Sequence, residues 1–148
     1  ERYETAFAAM PLLVTFIPML TDTGGNAGSQ SSTLIIRGMA VSEIHPKDLP
    51  QVVWKELRVS VLVGLVLSVV NFIQLAIRYP GNELMALTVV LSLFATVVIA
   101  KTVGCVLPIL AKMCHADPAI MAAPLITTVV DAFALIIYFS LAQRLLGL

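Results

Sequence analysis

Apolar residues fall into four long runs, at 5–41, 59–77, 84–110 and 119–146, separated by short stretches rich in charge, proline or glycine. Runs of this length are read as bilayer-spanning helices, because no segment shows the alternating pattern of a transmembrane barrel strand. The pattern predicts an all-α, polytopic transmembrane helix bundle with four spanning segments in this chain. Residues 119–142 alone would rise roughly 36 Å as helix, against a hydrocarbon core of about 30 Å. Residues 5–41 are too long for one plain crossing, at roughly 55 Å of straight helix, so this segment must tilt, break or protrude. Pro18 removes the usual donor to the carbonyl of Val14, and Gly24-Gly25 lowers helix preference just after it. The connection holding Pro46 and Pro50 is expected to be partly non-helical.

Polar residues inside these runs are the exceptions that need a reason. Asp131 stands near the middle of 119–142, where a carboxylate costs at least about 2.5 to 3.5 kcal/mol and calls for a partner, a wet cavity or an ion path. Ala119, Ala123, Thr127 and Asp131 recur every four residues, a small and polar face leading to the carboxylate, and Pro124 leaves the carbonyl of Ile120 free. On the first segment Asp22, Asn26, Gln30 and Thr33 share one helical face, with Ser29 beside it. Gly24 and Gly28 have the spacing of a close helix contact. Carboxylate, carbonyl and hydroxyl oxygens are hard ligands that suit Mg²⁺ or Ca²⁺ better than copper or zinc.

Other polar positions take structural readings. Ser60, Gly64 and Ser68 on the second run, and Ala100 with Gly104 on the third, permit close backbone approach. Thr88, Ser92 and Thr96 are expected to bond their own preceding turns. Lys101 is expected to snorkel toward the nearer membrane boundary. Cys105, Cys114, His115 and Asp117 lack a compact ligand spacing and read as a loop, with Asp117 capping the fourth helix and Pro118 at its first position. Asp22-Thr23-Gly24 also spells the short aspartic-protease signature, and Asp131 is a second carboxylate to pair with it. Neither aspartate has the glycine-flanked setting of an intramembrane protease, so the reading is a non-enzyme.

Composition agrees with a membrane protein: 59% of the 148 residues are hydrophobic, 12% are charged and the mean hydropathy is +0.96. Nine basic residues balance nine acidic ones, which offers no case for nucleic-acid binding. Arg37, Lys47, Lys55, Arg58 and Lys112 lie on one side against Arg2, Arg78 and Arg144 on the other, favouring the first as cytoplasmic in a multi-pass protein of the plasma (inner) membrane. The chain opens on Glu1 without a leader pattern and reads as a fragment, with one more crossing expected before it.

Several separated motifs, in order, closely resemble the transmembrane domain of the MgtE family of magnesium channels and transporters. They are Pro18-Met19-Leu20, the run from Asp22-Thr23-Gly24-Gly25-Asn26 through Ala27-Gly28-Ser29-Gln30, then Leu34-Ile35-Ile36-Arg37-Gly38-Met39-Ala40, Lys55-Glu56-Leu57-Arg58, Asp117-Pro118-Ala119 and Pro124-Leu125-Ile126-Thr127-Thr128-Val129-Val130-Asp131. The resemblance implies that residues 1–148 form an MgtE-like pore domain lacking the family's first transmembrane helix and its cytoplasmic N-terminal and CBS regulatory domains. It implies a homodimer, five helices per full subunit, with an ion pore on the two-fold axis. Asp131 would then hold a largely hydrated Mg²⁺, the transported ion, with backbone oxygens at Thr127 and Ala123 touching its waters and Asn26, Gln30 and their neighbours lining the facing side. Two Asp131 carboxylates about 5 Å apart would repel by roughly 3 kcal/mol at an effective dielectric near 20, and a divalent cation relieves that. Still open at this point are a carrier of other divalent selectivity, a Na⁺/Mg²⁺ exchanger, and a membrane protein that binds Mg²⁺ without conducting it. The stretch Cys114-His115-Ala116 departs from the family pattern in lacking a glycine at that turn.

Overall fold

Prolines mark where the helices begin. In the computed structural model, which describes residues 11–121 and 123–147, a 3₁₀ stretch Pro11–Phe16 runs into α1, Ile17–Ala40. Pro18 therefore lies in the first turn of α1, where its missing N–H has no partner to lose, and the long first run changes helix type ahead of it, its residues 5–10 lying outside the described residues. The expected irregularity at Gly24-Gly25 does not occur. The helix passes through both glycines unbroken, since each is buried against neighbouring helices that need the missing side-chain volume.

A tight connection leads to Pro46–Asp48, a 3₁₀ turn in which the carboxylate of Asp48 accepts the backbone N–H of His45 at 2.9 Å. Here α2, Leu49–Arg78, begins ten residues ahead of the apolar run at 59–77. Pro50 sits in its first turn rather than in a loop, and Lys55, Glu56 and Arg58 are helical. Hydrophobic length alone missed these nearly three turns because Gln51, Lys55, Glu56 and Arg58 interrupt the apolar run there.

α3 spans Glu83–Met113 and α4 spans Ala123–Leu146. Between them the carboxylate of Asp117 accepts the N–H of Ala119 at 2.9 Å, but what it caps is the 3₁₀ turn Pro118–Met121, not the fourth helix. Ala119 is thus off the helical face that its spacing suggested, and Pro124 falls in the first turn of α4 rather than inside a longer helix. His115 adopts φ of 59° in the turn after α3, so a side chain bears the left-handed conformation there.

α3 is the axis of the bundle. It packs against α1, α2 and α4, while α1 also lies along α4. Its buried residues cover most of its circumference, including Val89, Leu93, Val97 and Ala100. α2 is the opposite case: it buries only the stripe Glu56, Ser60, Gly64, Ser68 and Leu75. A Cβ on Gly64 would stand 3.0 Å from the Phe94 ring, and the Ser68 hydroxyl donates to the carbonyl of Val90 at 3.3 Å, so the small-residue ladder does bring two backbones together. The rest of α2 is bare apolar surface, with Leu62, Val66 and Ile77 64%, 62% and 77% exposed. Among the described residues three helical stretches, Pro46–Arg78, Glu83–Met113 and Pro124–Leu146, are long and apolar enough to cross a membrane. This is a multi-pass membrane fold, all-helical among the described residues.

Thr88 and Ser92 bond back to the carbonyls of Leu84 and Thr88, as hydroxyls in such helices do. Thr96 does not, and its buried hydroxyl has no partner among the described residues. Lys101 corrects the sequence reading most sharply. It does not snorkel but is 4% exposed, its Nζ 3.4 Å from Glu56 of α2 and 3.0 Å from the Ser31 hydroxyl of α1.

Candidate cation site between α1 and α4

Three glycines let α1 lie almost backbone to backbone on its neighbours. A Cβ on Gly24 would fall 2.6 Å from the Thr96 methyl and 2.9 Å from Val130, and one on Gly28 would fall 2.8 Å from Ile126 and 3.1 Å from the Ala100 carbonyl. From the facing side, a Cβ on Gly104 would run into the carbonyl of Gly28 itself. Gly25 packs on α4 in the same way, its absent Cβ 3.0 Å from the Thr127 methyl. The close contact predicted from the Gly24 and Gly28 spacing is therefore real, and it involves two further glycines.

Burying the glycine side of α1 turns its polar side outward along α4. Asp22 and Asn26 from α1 and Thr127 and Asp131 from α4 line one cleft of ≈320 Å³, with Pro18, Thr21 and Gly25 completing its wall. Asp131 is half-buried and Asp22 and Asn26 are exposed to the cleft side of the chain. Among the described residues none of these three side chains has a hydrogen-bond or ion-pair partner, and no Lys or Arg lines the cleft. The Thr127 hydroxyl bonds back to the carbonyl of Pro124 at 3.0 Å. Thr21 likewise bonds the carbonyl of Ile17 at 3.1 Å. The free oxygens that remain are two carboxylates and an amide, a hard and net negative set.

Of the residues singled out by sequence, Asp131, Thr127 and Asn26 are brought together here. Gln30 lies one turn farther along the same exposed face of α1, outside the cleft. Ala123 opens α4 one turn before Thr127, and its side chain lies outside the described residues. Sequence reading missed Pro18 and Thr21 as wall residues, although they extend the Asp22 and Asn26 face by one turn toward the helix start. Among the described residues no group of three or more His, Cys, Asp or Glu side chains is placed to hold a metal directly. Cys105 is buried inside α3 and so is not part of the loop, whereas Cys114 is exposed in the turn beyond the helix end. An ion in this cleft would keep most of its water, which is how Mg²⁺ is ordinarily bound.

The family model MgtE, described as a divalent cation transporter, matches residues 17–141, which include every residue of the cleft. Over 95% of its length the chain is 37% identical to the magnesium transporter MgtE of Bacillus subtilis, and over 99% it is 38% identical to that of Thermus thermophilus. Identity to the magnesium transporter MgtE of Enterococcus faecalis is 25% over 97% of the chain. The chain spans only 31–32% of the length of these curated relatives. With a polar cleft framed by glycine-packed membrane helices and a family match across most of its length, this chain belongs to the MgtE family of divalent cation transporters.

Proposed function

We propose that this chain forms the membrane pathway for Mg²⁺, with the ion passing hydrated along the cleft between α1 and α4. The observation that carries this reading is the half-buried carboxylate of Asp131 sharing a cleft with Asp22 and Asn26, with no side-chain partner and no Lys or Arg in the lining among the described residues. Mg²⁺ sheds water reluctantly, so a cleft of hard oxygens too sparse to replace its shell can grip the ion through that shell and release it again. Backbone oxygens of Thr127 and Ala123, in the turns preceding Asp131, would contact the bound waters.

The site is one-sided in a single chain, because α4 supplies only one aspartate at its centre. A homodimer that sets two Asp131 residues across a two-fold axis closes it and makes the cation the relief of their repulsion. Inward movement of a divalent ion through 100 mV is worth about 4.6 kcal/mol, which drives uptake across the plasma membrane without a nucleotide. The relatives' remaining length is where a cytoplasmic regulatory region and a further helix would lie.

Flux into liposomes tests the assignment. Asp131→Ala and Asp131→Asn should abolish Mg²⁺ uptake while leaving the folded dimer intact on size-exclusion chromatography; undiminished flux would remove the carboxylate from the pathway. Competition by Ca²⁺ or Co²⁺ would broaden the selectivity toward the family's general description, sodium-dependent flux would favour an exchanger, and Mg²⁺-dependent stability without flux would make the protein a binder alone.

A further inference from the structure

α1 carries half of the proposed cleft, yet its central contacts are glycines, which permit close approach but do not fix how far the helix slides or turns. What fixes it must lie at the ends of the glycine stretch. At the N-terminal side the Tyr138 hydroxyl of α4 donates to the carbonyl of Leu13 at 2.9 Å. At the other side, one turn beyond Gly28, the Ser31 hydroxyl donates to Oε2 of Glu56 at 2.7 Å and accepts from Nζ of Lys101 at 3.0 Å. Ser31 is fully buried, and Glu56 and Lys101 are 9% and 4% exposed. One residue each from α1, α2 and α3 thus meets at a single carboxylate oxygen.

This cluster is not on the ion path. Ser31 projects from the buried face of α1, with Gly24 and Gly28, whereas Asp22 and Asn26 project from the exposed face into the cleft. Glu56 lines a different cavity, ≈460 Å³ between the end of α1 and the start of α2. A buried charge pair also tolerates little displacement, because losing its partner leaves an uncompensated ion. It is therefore suited to hold a helix in one register rather than to pass a cation.

We propose that Ser31, Glu56 and Lys101 are positioning residues for transport: the buried cluster locks the register of α1, and so sets the distance at which Asn26 and Asp22 face Asp131. The inference rests on the ion pathway proposed above. Ser31→Ala is the discriminating variant, since it keeps both charges and removes only the link to α1. In the intact transporter in liposomes, it should raise the half-saturating Mg²⁺ concentration about tenfold, the lower end of the scale of a hydrogen bond to a charged group, with maximal flux largely kept. Glu56→Gln should move the same constant further in the same direction. A second readout is independent of flux: with Cys105→Ala and Cys114→Ser as background, the rate of disulfide formation between Asn26→Cys and Thr127→Cys should fall when Ser31→Ala is added. An unchanged half-saturation and cross-linking rate in Ser31→Ala overturns the proposal, as does a loss of maximal flux alone, which a merely destabilised protein would show. Undiminished flux in Asp131→Ala would instead sink the pathway reading, and the cross-linking result would still decide whether the cluster positions α1.

Discussion

Gly104 and Gly28 meet through a backbone carbonyl, and that makes their substitution different in kind from that of Gly64. At Gly64 an added methyl presses on the edge of the Phe94 ring, which can rotate, whereas at Gly104 it presses on the main chain of α1. Gly104→Ala should therefore lower stability by about 1 to 3 kcal/mol, the usual scale of overpacking, and Gly64→Ala by clearly less. Thermal unfolding in detergent ranks the two. Lys101 behaves oppositely to a packing residue. Lys101→Met should cost about 3 to 5 kcal/mol by stranding Glu56, while adding Glu56→Leu should restore most of that stability, because an apolar pair needs no desolvation. Recovery of stability without recovery of Mg²⁺ half-saturation would separate folding from positioning. Neither the burial of Lys101 nor its partner was legible in the sequence. Glu56 and Ser31 come from two other helices, and a lysine near a helix end reads the same by pattern whether it snorkels or pairs inward.

At the scale of helices, α1 shows what pattern could and could not give. The face of Asp22 and Asn26 follows directly from helical spacing, and so do Thr127 and Asp131 one turn apart on α4. What could not be read was which wall they faced, because that depends on Gly24, Gly25 and Gly28 packing against α3 and α4 rather than against another copy of α1. The starts of α2 and α4 were misjudged for a related reason: a proline in a helix's first turn looks, in sequence, like a proline that ends a loop. The contact of Tyr138 with Leu13, in the 3₁₀ stretch that leads into the same helix, is an anchor that no spacing announces, its partners 125 positions apart. Tyr138→Phe should remove the side-chain donor to that carbonyl while its 3₁₀ backbone bond stays, and cost about 0.5 to 1.5 kcal/mol, visible as earlier unfolding. Restoration by a polar residue of similar reach would confirm that the hydroxyl, and not the ring, is responsible.

For the whole molecule, the contrast between α3 and α2 sets what each can tolerate. α3 touches every other helix and is the most buried of them, leaving Leu84, Leu87, Leu91 and Leu110 exposed, whereas α2 turns Leu62, Val66 and Ile77 outward and buries only one stripe. Val66→Lys should cost about 2.5 to 3.5 kcal/mol of membrane insertion, with little effect on contacts inside the bundle. Insertion assays in microsomes would read it directly, and an unaffected Val66→Lys would mean that this face is covered by protein rather than lipid. The overall all-helical, membrane-crossing class was legible because the apolar runs are long and uninterrupted; the order of packing around α3 was not, because it is decided by small residues whose partners lie in other helices. The buried Lys101 bears on how the chain enters the membrane at all. α1 and α2 precede α3 in the chain, so Ser31 and Glu56 are synthesised before the lysine that pairs with them. The least apolar feature of α3 is met by an acid made before it, and synthesis order itself becomes part of how this bundle assembles.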